Sequence, residues 1–232
     1  MGYMARLSLS VWCRIRAMKL IILILLFVAF QSVAIEDTNL VSAGEWSEPV
    51  GTITMNGNTI RGRLLICDTP DHASSIQRVD TAVYLELQEF ASAIRSVDVY
   101  CQLHRLEFPD DAPGLRCELR DRGGQLVPES GGSFSGSEPG NCWITLEPYC
   151  SARLRVSAYG AACRLKDGGL RIYLASRGCW DVHPNPTNDY YLSATFTAVA
   201  PTNEMGFITG TNRDIWYGTL KLPKMKIPVK KP

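Results

Sequence analysis

Between Cys142 and Val199 the chain keeps switching between apolar and polar residues. Leu154, Val156 and Ala158 alternate with Arg153, Arg155, Ser157 and Tyr159, and Leu170, Ile172 and Leu174 alternate with Arg171 and Tyr173. Successive side chains of a strand point to opposite faces, so this period of two marks strands with one buried and one wet face. Lys166-Asp-Gly-Gly169 separates the two runs. Asp and Gly accept the positive φ of tight hairpin turns, so the runs are expected to pair as a hairpin. A third alternating run extends from Tyr190 to Val199. No stretch of helical period competes with this pattern, and the sequence predicts an all-β fold built on antiparallel sheet.

The remaining chain repeats the theme. Val50–Met55 and Thr59–Ile66 flank Asn56-Gly57, a hairpin turn signal. Thr81–Glu89 alternates, with Val83, Leu85 and Leu87 on one face. A Gly-Gly turn at Gly123 and Gly124 follows the run that ends near Asp121, and lysines stud the final run from Trp216 to Val229. That final run is expected to be a sheet edge, because lysine discourages pairing with another chain. Roughly nine to eleven strands at such spacing suit a two-sheet antiparallel β-sandwich, immunoglobulin-like or jelly-roll, since an isolated sheet cannot bury its apolar face. The alternation around Trp143, Leu154 and Tyr190–Phe196 resembles immunoglobulin-like sandwiches in general, a likeness that carries no function. Residues 35–48 read as a linker and 49–229 as the sandwich domain, with two small sub-domains as the alternative division.

The first 34 residues carry a different signal. Arg14, Arg16 and Lys19 precede the apolar run Leu20–Phe30, and Ser32-Val33-Ala34 supplies small residues for a peptidase. Basic, apolar and small-residue segments in that order form a secretory signal peptide, here residues 1–34, with Met18 as an alternative start. The apolar run is shorter than the roughly 20 residues of a membrane span. The expected destination is therefore secreted, periplasmic or at the cell surface, with no membrane attachment after cleavage. Cleavage would take Lys+Arg from 24 to 20 against 23 acids, about −3 in net charge. A field of that sign and size points away from nucleic acid as a partner.

Seven cysteines follow the signal: Cys67, Cys101, Cys117, Cys142, Cys150, Cys163 and Cys179. An exported chain can hold disulfides, and an odd number leaves at least one thiol over. Val97–Cys101 and Leu115–Leu119 flank a Pro-rich connection, and a hairpin centred on Pro109 would place Cys101 opposite Cys117. That pair is the disulfide the sequence predicts. No Cys-x-x-Cys occurs, so neither a thioredoxin-like site nor a zinc ribbon is indicated.

No catalytic motif stands out. His72, His104 and His183 lack metal-ligand spacing, and no Gly-x-Ser-x-Gly nucleophile turn is present. Asp181, Asn185, Asn188 and Asp189 lie in one Pro-rich loop and are the oxygen ligands from which a calcium site would be drawn, although the spacing of a calcium-binding loop is missing. Alternation places Arg153, Arg155 and Arg171 on one wet face together with Tyr159 and Tyr173. Like charges side by side need carboxylates or an anionic ligand between them, so these five residues are the candidate ligand site. The sequence thus predicts an exported, non-enzymatic binding or structural protein whose partner is a glycan or a protein at the cell surface. A carbohydrate-binding module and a secreted hydrolase with a loop-built site are the alternatives.

Overall fold

A computed structural model of the chain describes residues 39–51, 59–70, 79–90, 96–102, 114–130, 142–157, 165–174, 179–199 and 214–229. The expected signal peptide, the Asn56-Gly57 turn, Tyr159, Cys163, His72 and His104 lie outside these residues. The described part is all-β, with no helix. In chain order its strands are β1 (Asn39–Ala43), β2 (Val50–Gly51), β3 (Thr59–Pro70), β4 (Val79–Glu89), β5 (Val97–Cys101), β6 (Gly114–Asp121), β7 (Cys142–Leu146), β8 (Ser151–Arg155), β9 (Leu170–Tyr173), β10 (Cys179–Val182), β11 (Tyr190–Ala198), β12 (Asp214–Trp216) and β13 (Gly218–Lys226). That is more strands than the sequence predicts, because short segments such as β10 and β12 are too brief to display a period.

The strands form four sheets. One has the order β1-β3-β4-β8, with β2 also paired to β3; the others run β13-β11-β6, β12-β5-β7 and β10-β9. The long β3–β4 pair runs in unbroken register from Ile60 opposite Glu89 to Pro70 opposite Val79. Its register puts Ile60, Leu64, Ile66, Val83, Leu85 and Leu87 on one face. These pack in a single core with Leu192 and Phe196 of β11, Leu220 and Leu222 of β13, Val97 and Val99 of β5, and Ile172 and Trp180 of the β9–β10 pair. Burying side chains of this size stabilises by roughly 1.5–3 kcal/mol each, which is why the alternation is so regular. Gly62 marks the closest approach. A Cβ there would lie 2.9 Å from Leu222 Cδ2 and 3.2 Å from Leu220 Cδ1, so β3 meets β13 across the core without room for a side chain.

The run from 165 to 174 turns as its sequence predicts. Leu165 N donates to the Gly169 carbonyl, Gly168 N donates to that of Leu165, and Gly168 takes a φ of 84°. Ser157 bridges Leu174, tying the end of β8 to that of β9. β13 is an edge strand of its sheet, with Lys221, Lys224 and Lys226 along it.

Three expectations need correcting. Asn39–Ala43, inside the segment read as a linker, is strand β1 and pairs with β3. Sheet pairing is not wholly antiparallel: β12 runs parallel to β5, Asp214 opposite Val97. The hairpin that would join Cys101 to Cys117 does not form. β5 pairs with β7 and β12, whereas β6 pairs with β11 from Tyr190 opposite Asp121 to Thr197 opposite Gly114. Cys117 therefore faces Ala194, in a different sheet from Cys101, and both remain thiols. The local turn signal lost to the longer, wholly alternating partner that β11 offers β6.

Candidate functional site

The arginines grouped by the sequence are divided by the fold. Arg153 and Arg155 lie on β8, which pairs with β4; Arg171 and Tyr173 lie on β9, which pairs with β10. Arg171 is held by its own neighbour: Nε and Nη2 each donate to Asp181, both at 2.6 Å. The guanidinium holds the Asp181 carboxyl below the usual carboxylate range. Arg155 donates from Nε to the Ser157 carbonyl at 3.2 Å. Tyr159 lies outside the described residues, Arg171 and Tyr173 share one face of β9, and Arg153 and Arg155 share one face of β8.

That face carries residues the sequence did not single out. Opposite its core side, the three-strand array β3–β4–β8 presents Arg61, Arg63, Glu86, Gln88, Ser151, Arg153 and Arg155, matched as Arg61 with Gln88, Arg63 with Glu86, and Glu86 with Arg153. Among the described residues this patch holds four arginines against one carboxylate. Glu86 is only 3% exposed. Its Oε2 accepts from Arg63 Nε at 2.6 Å and its Oε1 from Arg153 Nε at 2.9 Å. Further along the same face the chemistry turns apolar, with Leu65, Cys67, Ala82 and Tyr84 buried together.

The end of the patch is aromatic. Ser47 pairs with Gly62 twice, its N donating to the Gly62 carbonyl at 2.8 Å and its Oγ accepting from Gly62 N at 3.0 Å. This fixes the segment before β2 along β3 and seats Trp46 between the arginines on either side of Gly62. Arg61 Cζ lies 4.6 Å from the Trp46 ring centroid and 4.2 Å from that of Phe90, while Arg63 Cζ lies 4.3 Å from Trp46. Cations over aromatic faces are attracted by the ring quadrupole. Arg61 Nε donates to Gln88 Oε1 at 2.8 Å. Unlike Arg63 and Arg153, Arg61 has no carboxylate partner among the described residues.

Tyr149 stands at the same end. Gln88 Nε2 reaches its carbonyl at 3.5 Å, so one side chain links Arg61 to the Tyr149 backbone. Tyr149 adopts a φ of 60°, a conformation that costs a side-chain-bearing residue of order 1–3 kcal/mol. The fully buried Glu89 carboxylate holds it there by accepting from Tyr149 N at 3.0 Å. The result exposes the ring: Tyr149 is 61% and Phe90 46% exposed. A guanidinium between two rings, beside exposed aromatic surface, is suited to a planar oxyanion attached to an apolar body.

Each loop residue named for calcium has a partner of its own. Asp181 binds Arg171, Asn185 Oδ1 accepts from Thr187, Asn188 Oδ1 accepts from Arg122 N, and Asp189 pairs with Lys226 at 2.9 Å. Among the described residues no three His, Cys, Asp or Glu side chains cluster as metal ligands. His183 Nδ1 lies 2.6 Å from Asp167 Oδ2 in the exposed turn. On the outward side of β5–β7, Tyr100 and the exposed Trp143 sit 5.0 Å apart across the strands.

Trp46, Arg61, Phe90 and Tyr149 went unseen in the sequence for a physical reason. Ile60-Arg-Gly-Arg-Leu64 and Leu85-Glu-Leu-Gln88 show that charges share a face within each strand. Which charge meets which depends on register, and register is not local. The sequence matches no protein-family model, and neither a curated protein nor a solved structure resembles it significantly.

Proposed function

We propose that the chain is an exported, non-enzymatic β-sandwich protein that holds an anionic glycan on the arginine-aromatic end of the β3–β4–β8 face. The sandwich reading is supported by the shared core and by the close approach of Gly62 to Leu220 and Leu222. The export reading rests on the basic, apolar and small-residue segments of the first 34 residues. One observation carries the ligand reading: Arg61 lies between the Trp46 and Phe90 rings with no carboxylate partner among the described residues. Its donors fit a carboxylate or sulfate, and Phe90 and Tyr149 offer aromatic surface to the apolar side of a sugar ring.

Binding of uronic-acid and sulfated oligosaccharides, measured on the folded chain by calorimetry, tests this reading. Arg61→Ala is expected to weaken binding at least about tenfold, in line with the roughly 1.5–3 kcal/mol of a charge-assisted hydrogen bond. Affinity should fall as salt rises. Equal binding by wild type and Arg61→Ala would overturn the assignment. A second reading is favoured by the Tyr100–Trp143 pair: a platform for a neutral sugar. In that case Trp143→Ala removes binding, Arg61→Ala spares it, and salt has little effect.

A further inference from the structure

We propose that Cys101 and Cys142 form a cross-strand disulfide when the chain meets a small-molecule disulfide oxidant such as oxidised glutathione. They are direct partners at the end of the β5–β7 ladder. Partners on antiparallel strands have Cα atoms roughly 4.5–5.5 Å apart. A disulfide accepts about 4.4–6.8 Å, so the strands need not move to be joined. Among the described cysteines this is the one pair in register: Cys67 faces Ala82, Cys117 faces Ala194, and Cys179 faces Tyr173.

The two thiols differ in a way that sets the order of events. Cys101 is fully buried and Cys142 half-buried, so the oxidant reaches Cys142 first. A hydrogen bond from the Cys101 thiol stabilises the Cys142 thiolate and lowers Cys142 to about 7, whereas burial pushes Cys117 up to about 12. Thiolate is the attacking form. The Cys142 sulfur attacks one sulfur of oxidised glutathione, that S–S bond breaks, and one glutathione leaves as thiolate and takes a proton. Cys101, on giving up its proton, then attacks the Cys142 sulfur of the mixed disulfide and expels the second glutathione. Two protein thiols lose two electrons and two protons; one glutathione disulfide becomes two glutathione thiols. The product links β5 to β7 directly beside the outward Tyr100–Trp143 pair and closes the connection that contains β6.

The test uses the full chain, fully reduced, treated with oxidised glutathione, alkylated and digested with trypsin and chymotrypsin. Chymotrypsin cuts after Tyr149 and so separates Cys142 from Cys150. A Cys101–Cys142 linked peptide is expected, together with a rise in Tm of about 10 °C that dithiothreitol reverses. Cys101→Ser should stop at the first step and keep glutathione on Cys142. Cys101 linked to any other cysteine, or Cys101 and Cys142 both remaining open to alkylation in the unfolded, oxidant-treated wild type, would overturn the proposal whether or not the variant folds.

Discussion

Arg63–Glu86–Arg153 and Arg171–Asp181 use the same chemistry at two depths. In both, an arginine Nε meets a carboxylate oxygen at 2.6 Å. At the first site the carboxylate side chain is 4% exposed and serves two guanidiniums; at the second it is 24% exposed and its arginine 47%. Depth changes what the contact is for. Glu86 is a buried charge on the central strand of its sheet and is tolerated there only because both of its oxygens are matched. Asp181 and Arg171 lie within reach of water, where attraction is weakened and each group could be solvated alone. Bond length is therefore a poor guide to an ion pair's weight. What its removal would leave behind is a better one.

The largest effect should come from Glu86→Ala. It leaves two arginines facing each other over the middle of the sheet. Breaking a buried pair costs about 3–5 kcal/mol, and because Arg63 and Arg153 keep some contact with water we expect about 3 kcal/mol. Urea unfolding measures it as a fall in midpoint. A loss below about 1 kcal/mol would mean that the two sites do not differ in kind.

Arg171→Ala should cost no more than about 1 kcal/mol, and less at high salt. It should also change the response to acid. Asp181 is held below its ordinary 3.8 by Arg171, so the folded state binds its proton less readily than the unfolded chain does. The stability this provides is present above the unfolded carboxylate value and is lost as pH falls through the folded one. Wild type should therefore lose slightly more stability than Arg171→Ala between about pH 5 and 2. Parallel acid unfolding curves for the two proteins would contradict that sign.

The smallest effect belongs to the exposed turn. The hydrogen bond from His183, together with one from Gly169 N, lowers Asp167. In His183→Ala the Asp167 titration midpoint, followed by NMR, should move up toward its ordinary value while Tm stays unchanged. A midpoint indifferent to His183 would remove the imidazole as its cause.

Much of the fold was legible in the sequence because alternation is a local property. Leu170, Ile172 and Leu174 could be assigned to the core, and Arg153 and Arg171 to wet faces, from the pleat alone. Asp167-Gly168 announced its turn through residues that accept positive φ. The final strand showed its edge position in Lys221, Lys224 and Lys226. The candidate site was less legible. Arg153 and Arg171 obey the same alternation yet belong to separate sheets, because alternation assigns a face and not a neighbour.

The strand class, the core-facing residues and the turn chemistry all follow from side-chain volume, polarity and backbone freedom within a few residues, and so they could be read from the chain before folding. That Cys101 faces Cys142 rather than Cys117, that Glu86 is shared by Arg63 and Arg153, and that Ser47 seats Trp46 against Arg61 emerged with the assembled sheets. Those pairings depend on which distant strands bury the most apolar surface together. They belong to the whole core and to no single stretch of chain.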